Sequence, residues 1–217
     1  MLVTAKILDY DGERLTLLPT SSITHDLIRK QSNLVEIRLV DGREITAEQR
    51  KKIYAIIRDI SLDSGLFPEE AKEYLKFWFR SSHEDIRPFS LSDVEEDIAS
   101  QFIDYLIKFC LRWDVPTKVP LIEYCDDIDH YLWYCLYYRK CAICGMPADV
   151  HHVDRIGMGR DRERIVHEGL RAIALCRRHH HKAHQDQRGL FEQYHIYGIP
   201  LDKRLCDRLK LRKEDSA

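Results

Sequence analysis

Two short segments hold most of the side chains that could bind a metal or move a proton: "CAICGMPADVHHVDRIGMG", residues 141–159, and "LCRRHHHKAHQ", residues 175–185. Cys141 and Cys144 are separated by two residues, and so are Cys176 and His179. Two such pairs, each on a short turn, are the usual way to set four nitrogen and sulfur ligands tetrahedrally around zinc. Four ligands close that shell, so the remaining histidines need a different role. His180 and His184 stand at i and i+4 and project from one face of a helix, where they can share an ion with His151 arriving from a strand. Three imidazoles with open positions make a catalytic rather than a structural shell. His152, the next residue of an extended strand, points away from His151 and is free to act on water as a general base. A histidine-rich zinc ribbon with spare surface histidines is the plainer alternative, and two separate ligand-spaced sets count against it.

Charge is distributed to match. Residues 1–125 carry 17 Lys+Arg against 22 Asp+Glu, or −5, whereas residues 126–217 carry 17 against 14, or +3. Arg155, Arg160, Arg162 and Arg177 lie in the positive part beside the histidines and are the candidate phosphate contacts. A run of like charge is ordinarily a solvated face, so this assignment depends on the neighbouring histidines.

The positioning elements follow from pattern. "LVTAKILDY", "RLTLLP" and "NLVEIRLV" are β-prone runs punctuated by Asp-Gly, Pro and Ser-Asn, which predicts a small antiparallel sheet at the N-terminus. Thr46 with Gln49 reads as a capping box, and Ile53, Ile56, Ile57 and Ile60 share one face of the helix it would start. Pro68, followed by two glutamates, opens a second helix. Ser92 with Glu95 repeats the capping pattern ahead of a stripe at Ile98, Phe102, Tyr105, Leu106 and Phe109. "DVPTKVP", residues 114–120, is a break. The aromatic run after it, Tyr124, Tyr131, Trp133, Tyr134, Tyr137 and Tyr138, is expected to pack, with stacking on bases as the alternative. The remaining cysteines, Cys110, Cys125, Cys135 and Cys206, lack ligand spacing and are assigned to packing.

A chain of 217 residues with 44% hydrophobic and 32% charged residues, no long apolar run and no secretory pattern at its start reads as a cytoplasmic protein without a membrane partner. Its cysteines are then thiols or metal ligands.

From Cys141 to His184 the chain resembles the HNH endonucleases, and most closely the zinc-supported phage group with a His-His pair, a "GMG" loop and "LC..HH...H". The resemblance implies a ββα-metal core in an α+β protein, with Cys141, Cys144, Cys176 and His179 on a supporting zinc. It implies His151, His180 and His184 on a catalytic Mg2+, Mn2+ or other divalent ion, with His152 as the base. The central Asn of the family is missing, since Asn33 is the only Asn in the chain. His167 is the best substitute by spacing, and Arg171 the next. Residues 44–113 resemble, through the order of their helices, the NinB/Orf recombination mediators of phages. That resemblance implies a division into a DNA-binding domain at 1–115, a helical linker at 116–140 and a nuclease domain at 141–217. It also implies a role in recombination, in the host cytoplasm, on single-stranded, branched or duplex DNA, with a single-strand-binding protein, a recombinase or a second copy of the chain as partner. Lys51, Lys52, Arg80 and Arg87 would be the phosphate contacts of the first domain.

Overall fold

The computed structural model describes residues 5–19, 43–83, 85–154 and 166–212. The chain forms two compact units, residues 1–41 and 42–217. Their separation lies upstream of the functional division expected at 115 and 140. In the first unit β1 (Ala5–Tyr10) pairs antiparallel with β2 (Leu15–Pro19). The Asp11 carboxylate accepts from the backbone N–H groups of Glu13 and Arg14, and Gly12 supplies the positive φ that the reversal needs. The third expected strand, "NLVEIRLV", lies outside the described residues, as do Arg155, Arg160 and Arg162.

The second unit begins with α1 (Ala47–Ser64), α2 (Pro68–Ser81) and α3 (Glu96–Trp113). Thr46 and Gln49 form the capping box in both directions. Ile53, Ile56, Ile57 and Ile60 are all buried. A cap contributes about 1 kcal/mol, whereas each buried isoleucine contributes about 1.5–3 kcal/mol, so packing rather than capping holds this helix. The helix expected to start at Ser92 starts instead at Glu96. Residues 94–96 are drawn into an extended pairing with residues 43–45: the Ile45 N–H donates to the Val94 carbonyl, and the Glu96 N–H to the Arg43 carbonyl. Tertiary pairing outweighs a local capping signal here.

After the break at 114–120, a 3-10 turn (Leu121–Glu123) leads into α4 (Ile128–Tyr138), which Asp127 caps through its carboxylate. The helix is shorter than the aromatic run suggested. Tyr131, Leu132, Cys135 and Leu136 are buried between α3 on one side and β4 (Arg171–Leu175) and α6 (Lys203–Leu209) on the other. The packing expectation therefore holds for this inner face. Three antiparallel strands, β3 (Asp149–His152), β4 and β5 (Ile199–Pro200), form the second sheet in the order β3-β4-β5. The long α5 (Arg177–Tyr194) follows β4 directly. Mixed helices and small antiparallel sheets make this the expected α+β fold. Among the described residues no helix is long and apolar enough to cross a membrane.

Candidate metal centre and nuclease site

A tight turn and a helix start build the cysteine cluster. Gly145, at φ 69°, lets the chain reverse, so that its N–H reaches the Cys141 carbonyl while the Cys141 N–H reaches Met146. This brings Cys141 and Cys144 together. Cys176 is the N-cap residue of α5, and His179 lies in its first turn. The four ligand atoms all lie within 4.8 Å of one another. Cys144 Sγ and Cys176 Sγ are 3.8 Å apart. His179 Nδ1 is 3.4 Å from Cys141 Sγ, 3.6 Å from Cys144 Sγ and 3.3 Å from Cys176 Sγ. Zinc–sulfur and zinc–nitrogen bond lengths at tetrahedral angles give edges of about 3.8 Å and about 3.6 Å, so these separations fit a zinc ion.

Electrostatics support the same fit. Burial pushes the Cys141 thiol up to about 12, so forming its thiolate calls for a nearby cation. Burial acts to raise the Cys176 thiol as well. The N–H groups of His179 and Arg178 at the helix start, together with the Cys144 and Cys141 side chains, outweigh it and leave this thiol lowered. Cys110, Cys125, Cys135 and Cys206 lie outside the cluster and form no disulfide among the described residues.

The second cluster lies on the neighbouring ribbon. In β3 His151 pairs in register with Ile173 and is 3% exposed, with its side chain toward α5. His180 and His184 meet it there, with ring centroids 4.8 and 5.1 Å from that of His151 and 4.8 Å from each other. His151 Nε2 lies 2.9 Å from Gln187 Oε1, while its Nδ1 is buried without a hydrogen-bond partner among the described residues. A neutral imidazole whose Nε2–H donates to an amide oxygen presents a bare, buried Nδ1. That is the state of a histidine prepared for a metal ion. Burial holds His151 below the ordinary imidazole range against the opposing Gln187 contact, with the charge of His184 adding a smaller push; burial, then the charges of His151 and His184, hold His180 below it against Asp149. Three imidazoles with room for further ligands fit a divalent ion.

His152 faces the other way, as strand alternation dictates. Its Nε2 lies 2.9 Å from Nδ1 of His167. His167 stands in a turn held at both ends: its own N–H donates to the Arg212 carbonyl, and Gly169, at φ 82°, donates to Leu201. Arg171, the other substitute for the missing Asn, does not reach His152. Its backbone N–H and guanidinium grip the Asp154 carboxylate at 2.7, 3.0 and 2.7 Å. Burial, then His167 and His151, lower the His152 pKa below 6.5, while Asp154 opposes the shift. Arg177 is exposed at the start of α5. Of the cations expected on the helical part, Lys52 is paired with Asp126 and Glu48.

Sequence reasoning missed Gln187 and Asp154. Gln187 was not legible from helical spacing, because the backbone leaves helical geometry at Asp186 (φ −148°, ψ 84°), between His184 and Gln187. Nor was Asp154, since its partnership with Arg171 depends on the register of β3 against β4.

A strand bearing adjacent histidines, a second antiparallel strand and a helix bearing two more histidines form a ββα unit around the cluster. The chain belongs to the HNH nuclease family: the family described as "Putative HNHc nuclease" matches residues 19–212. No curated protein and no solved structure matches the chain.

Proposed function

We propose that the protein hydrolyses DNA phosphodiester bonds at the histidine cluster, with His152 as general base. The observation that carries this reading is the division of the histidines. Three converge on one face of the β3–β4 ribbon, and His152, on the other, is held at Nε2 by His167, which leaves Nδ1 to accept a proton. In the reaction a water oxygen attacks phosphorus as His152 Nδ1 takes its proton. The bond to the leaving 3′ oxygen then breaks, giving 5′-phosphate and 3′-hydroxyl ends once that oxygen is protonated from solvent. A divalent ion such as Mg2+ or Mn2+, held by His151, His180 and His184, would supply positive charge to the scissile phosphate and the leaving oxygen. Arg155, Arg160, Arg162 and Arg177 would hold flanking phosphates without reading sequence. Zn2+ at Cys141, Cys144, Cys176 and His179 would fix the ribbon against the start of α5. A single catalytic ion per chain implies nicking, and double-strand cleavage would require a homodimer.

The recombination setting, with a recombinase or single-strand-binding protein as partner, rests on the resemblance of residues 44–113 to NinB/Orf mediators. The test is incubation of plasmid, single-stranded and branched DNA with the purified protein and Mg2+ or Mn2+, beside a His152→Ala variant. Cleavage by the wild type alone supports the proposal. Equal cleavage by both removes His152 as the base, and DNA binding without cleavage under any metal condition favours a non-catalytic mediator.

A further inference from the structure

The outer face of α4 is not absorbed by packing. Trp133, Tyr134 and Tyr137 are only half-buried and line an open groove of about 880 Å3 together with Lys108 and Arg112 of α3 and Arg204 and Arg208 of α6. None of these residues belongs to either metal cluster. The Trp133 and Tyr137 rings are stacked, 4.9 Å apart and 15° from parallel. The Arg204 guanidinium lies 5.2 and 5.4 Å from their centroids, and that of Arg208 lies 5.2 Å from Tyr137. Lys108 sits 5.5 Å from the Tyr134 ring, and Arg112 sits 5.2 Å from that of the exposed Trp113.

Acidic neighbours are few: Asp104, which accepts from the Tyr134 hydroxyl, feels the charge of Lys108 without forming an ion pair with it. Among the described residues none of the four forms an ion pair. The one carboxylate lining the groove, Asp202, is already committed: one oxygen accepts from the Leu205 N–H and the other from the Trp133 indole. Guanidinium groups held over aromatic rings have little freedom left to lose on binding; Arg208 Nε donates to the Tyr137 carbonyl, and the remaining N–H groups can meet phosphate oxygens.

We infer that this groove binds a single-stranded stretch of nucleic acid, as a second contact on the DNA that the histidine site cuts. The clustered cations match a phosphate backbone. Ring and guanidinium faces interleaved with them match unstacked bases, which a duplex does not present. The identity of the polyanion as substrate DNA rests on the nuclease reading, whereas the binding itself does not.

Fluorescence anisotropy with labelled oligothymidylate and with a labelled duplex, without added Mg2+ or Mn2+, tests the inference. The proteins are the full-length wild type, an Arg204→Ala/Arg208→Ala double variant and Lys108→Glu on a different helix. Unchanged zinc content and far-UV circular dichroism establish that the variants are folded. Each variant should lose about tenfold or more in single-strand affinity, and the salt slope of the double variant should fall by about 0.7 for each contact removed. Hydrolysis of bis(p-nitrophenyl) phosphate, too small to need the groove, should stay at the wild-type rate. Single-strand affinity unchanged in both variants, or an equal loss for the duplex, overturns the inference. The two readings fail separately. A wild type that hydrolyses no diester while the variants still weaken single-strand binding defeats only the nuclease reading, and the reverse pattern defeats only the groove.

Discussion

The cysteine cluster, on the turn before β3 and the start of α5, and the histidine cluster, on β3 and α5, offer opposite donor sets. Cys141, Cys144, Cys176 and His179 offer four donors at the edge lengths of a closed tetrahedron, which leaves an ion there nothing else to bind. His151, His180 and His184 offer three donors, graded from buried to exposed, with His152, the proposed proton acceptor, as the adjoining residue. The number of donors and their burial would thus separate an ion that holds the fold from one that meets a substrate, as proposed above. Both clusters draw on α5, whose first turn supplies the closed site and whose second supplies the open one.

The strongest way to break this comparison is to remove a ligand from each side. Structural zinc accounts for about 10–16 kcal/mol of apparent folding free energy in small zinc domains. Cys141→Ser is therefore expected to lose the ion and a sizeable share of the stability of the 42–217 unit. His184→Ala, at an exposed position, is expected to keep its zinc and to change stability by no more than about 0.5 kcal/mol while losing cleavage. Elemental analysis and thermal unfolding of both variants check this pair. Equal zinc content and equal melting in the two would abolish the distinction between the sites.

Within the open site, the contact between His152 and His167 sharpens the comparison further. His152→Ala is expected to lower the cleavage rate about 10²–10⁴-fold at unchanged zinc content. His167→Ala should cost less, because it leaves the base in place but unheld. His167→Asn should retain more activity than His167→Ala, since an amide oxygen can accept the proton that His152 Nε2 donates. Rate constants for the three variants that failed to rank in this order would separate the 2.9 Å contact from catalysis.

Gln187 tests whether the open site was built or merely left over. Removing the outer partner of a ligating histidine costs about 10–100-fold in metal affinity, so Gln187→Ala should raise the concentration of Mn2+ needed for half-maximal cleavage while leaving the tightly held zinc alone. An unchanged metal requirement would mean that the buried Nδ1 of His151 needs no such orientation.

The pairs within each proposed ligand set stood out in the sequence because their spacing is local. Two residues between cysteines makes a turn, and four along a helix makes one face, whatever lies around them. The hydrophobic stripe of α1 and the break at 114–120 were legible for the same reason. What spacing could not reveal were contacts set by tertiary pairing. The Ser92 cap gave way to the pairing of residues 43–45 with 94–96, and Arg171 was taken by Asp154 rather than His152. The aromatic run of α4 was half legible. Its inner face packs as expected, while its outer face acquires a cationic lining only when α3 and α6 are brought alongside it.

The smallest expected effect is on pH dependence, and it follows from the side of the ribbon on which His152 stands. Burial, then His167 and His151, hold its imidazole below the ordinary 6.5, and burial does the same for His167. A base lowered in this way is already neutral at pH 6.5, so cleavage should persist on the acid side of that value and decline only as pH falls through the lowered pKa. Stability follows the same sign. In the window below 6.5 the unfolded histidines bind protons that the folded ones refuse, so their contribution is complete above 6.5 and is lost as pH falls. His167→Ala takes away a neighbouring charge and part of the burial, which should move the acid limb of kcat/KM up toward 6.5. A profile measured across pH 5–8 decides the matter. An acid limb in the wild type at or above 6.5, or one that His167→Ala leaves in place, would show that the base is not the histidine opposite the three-imidazole cluster.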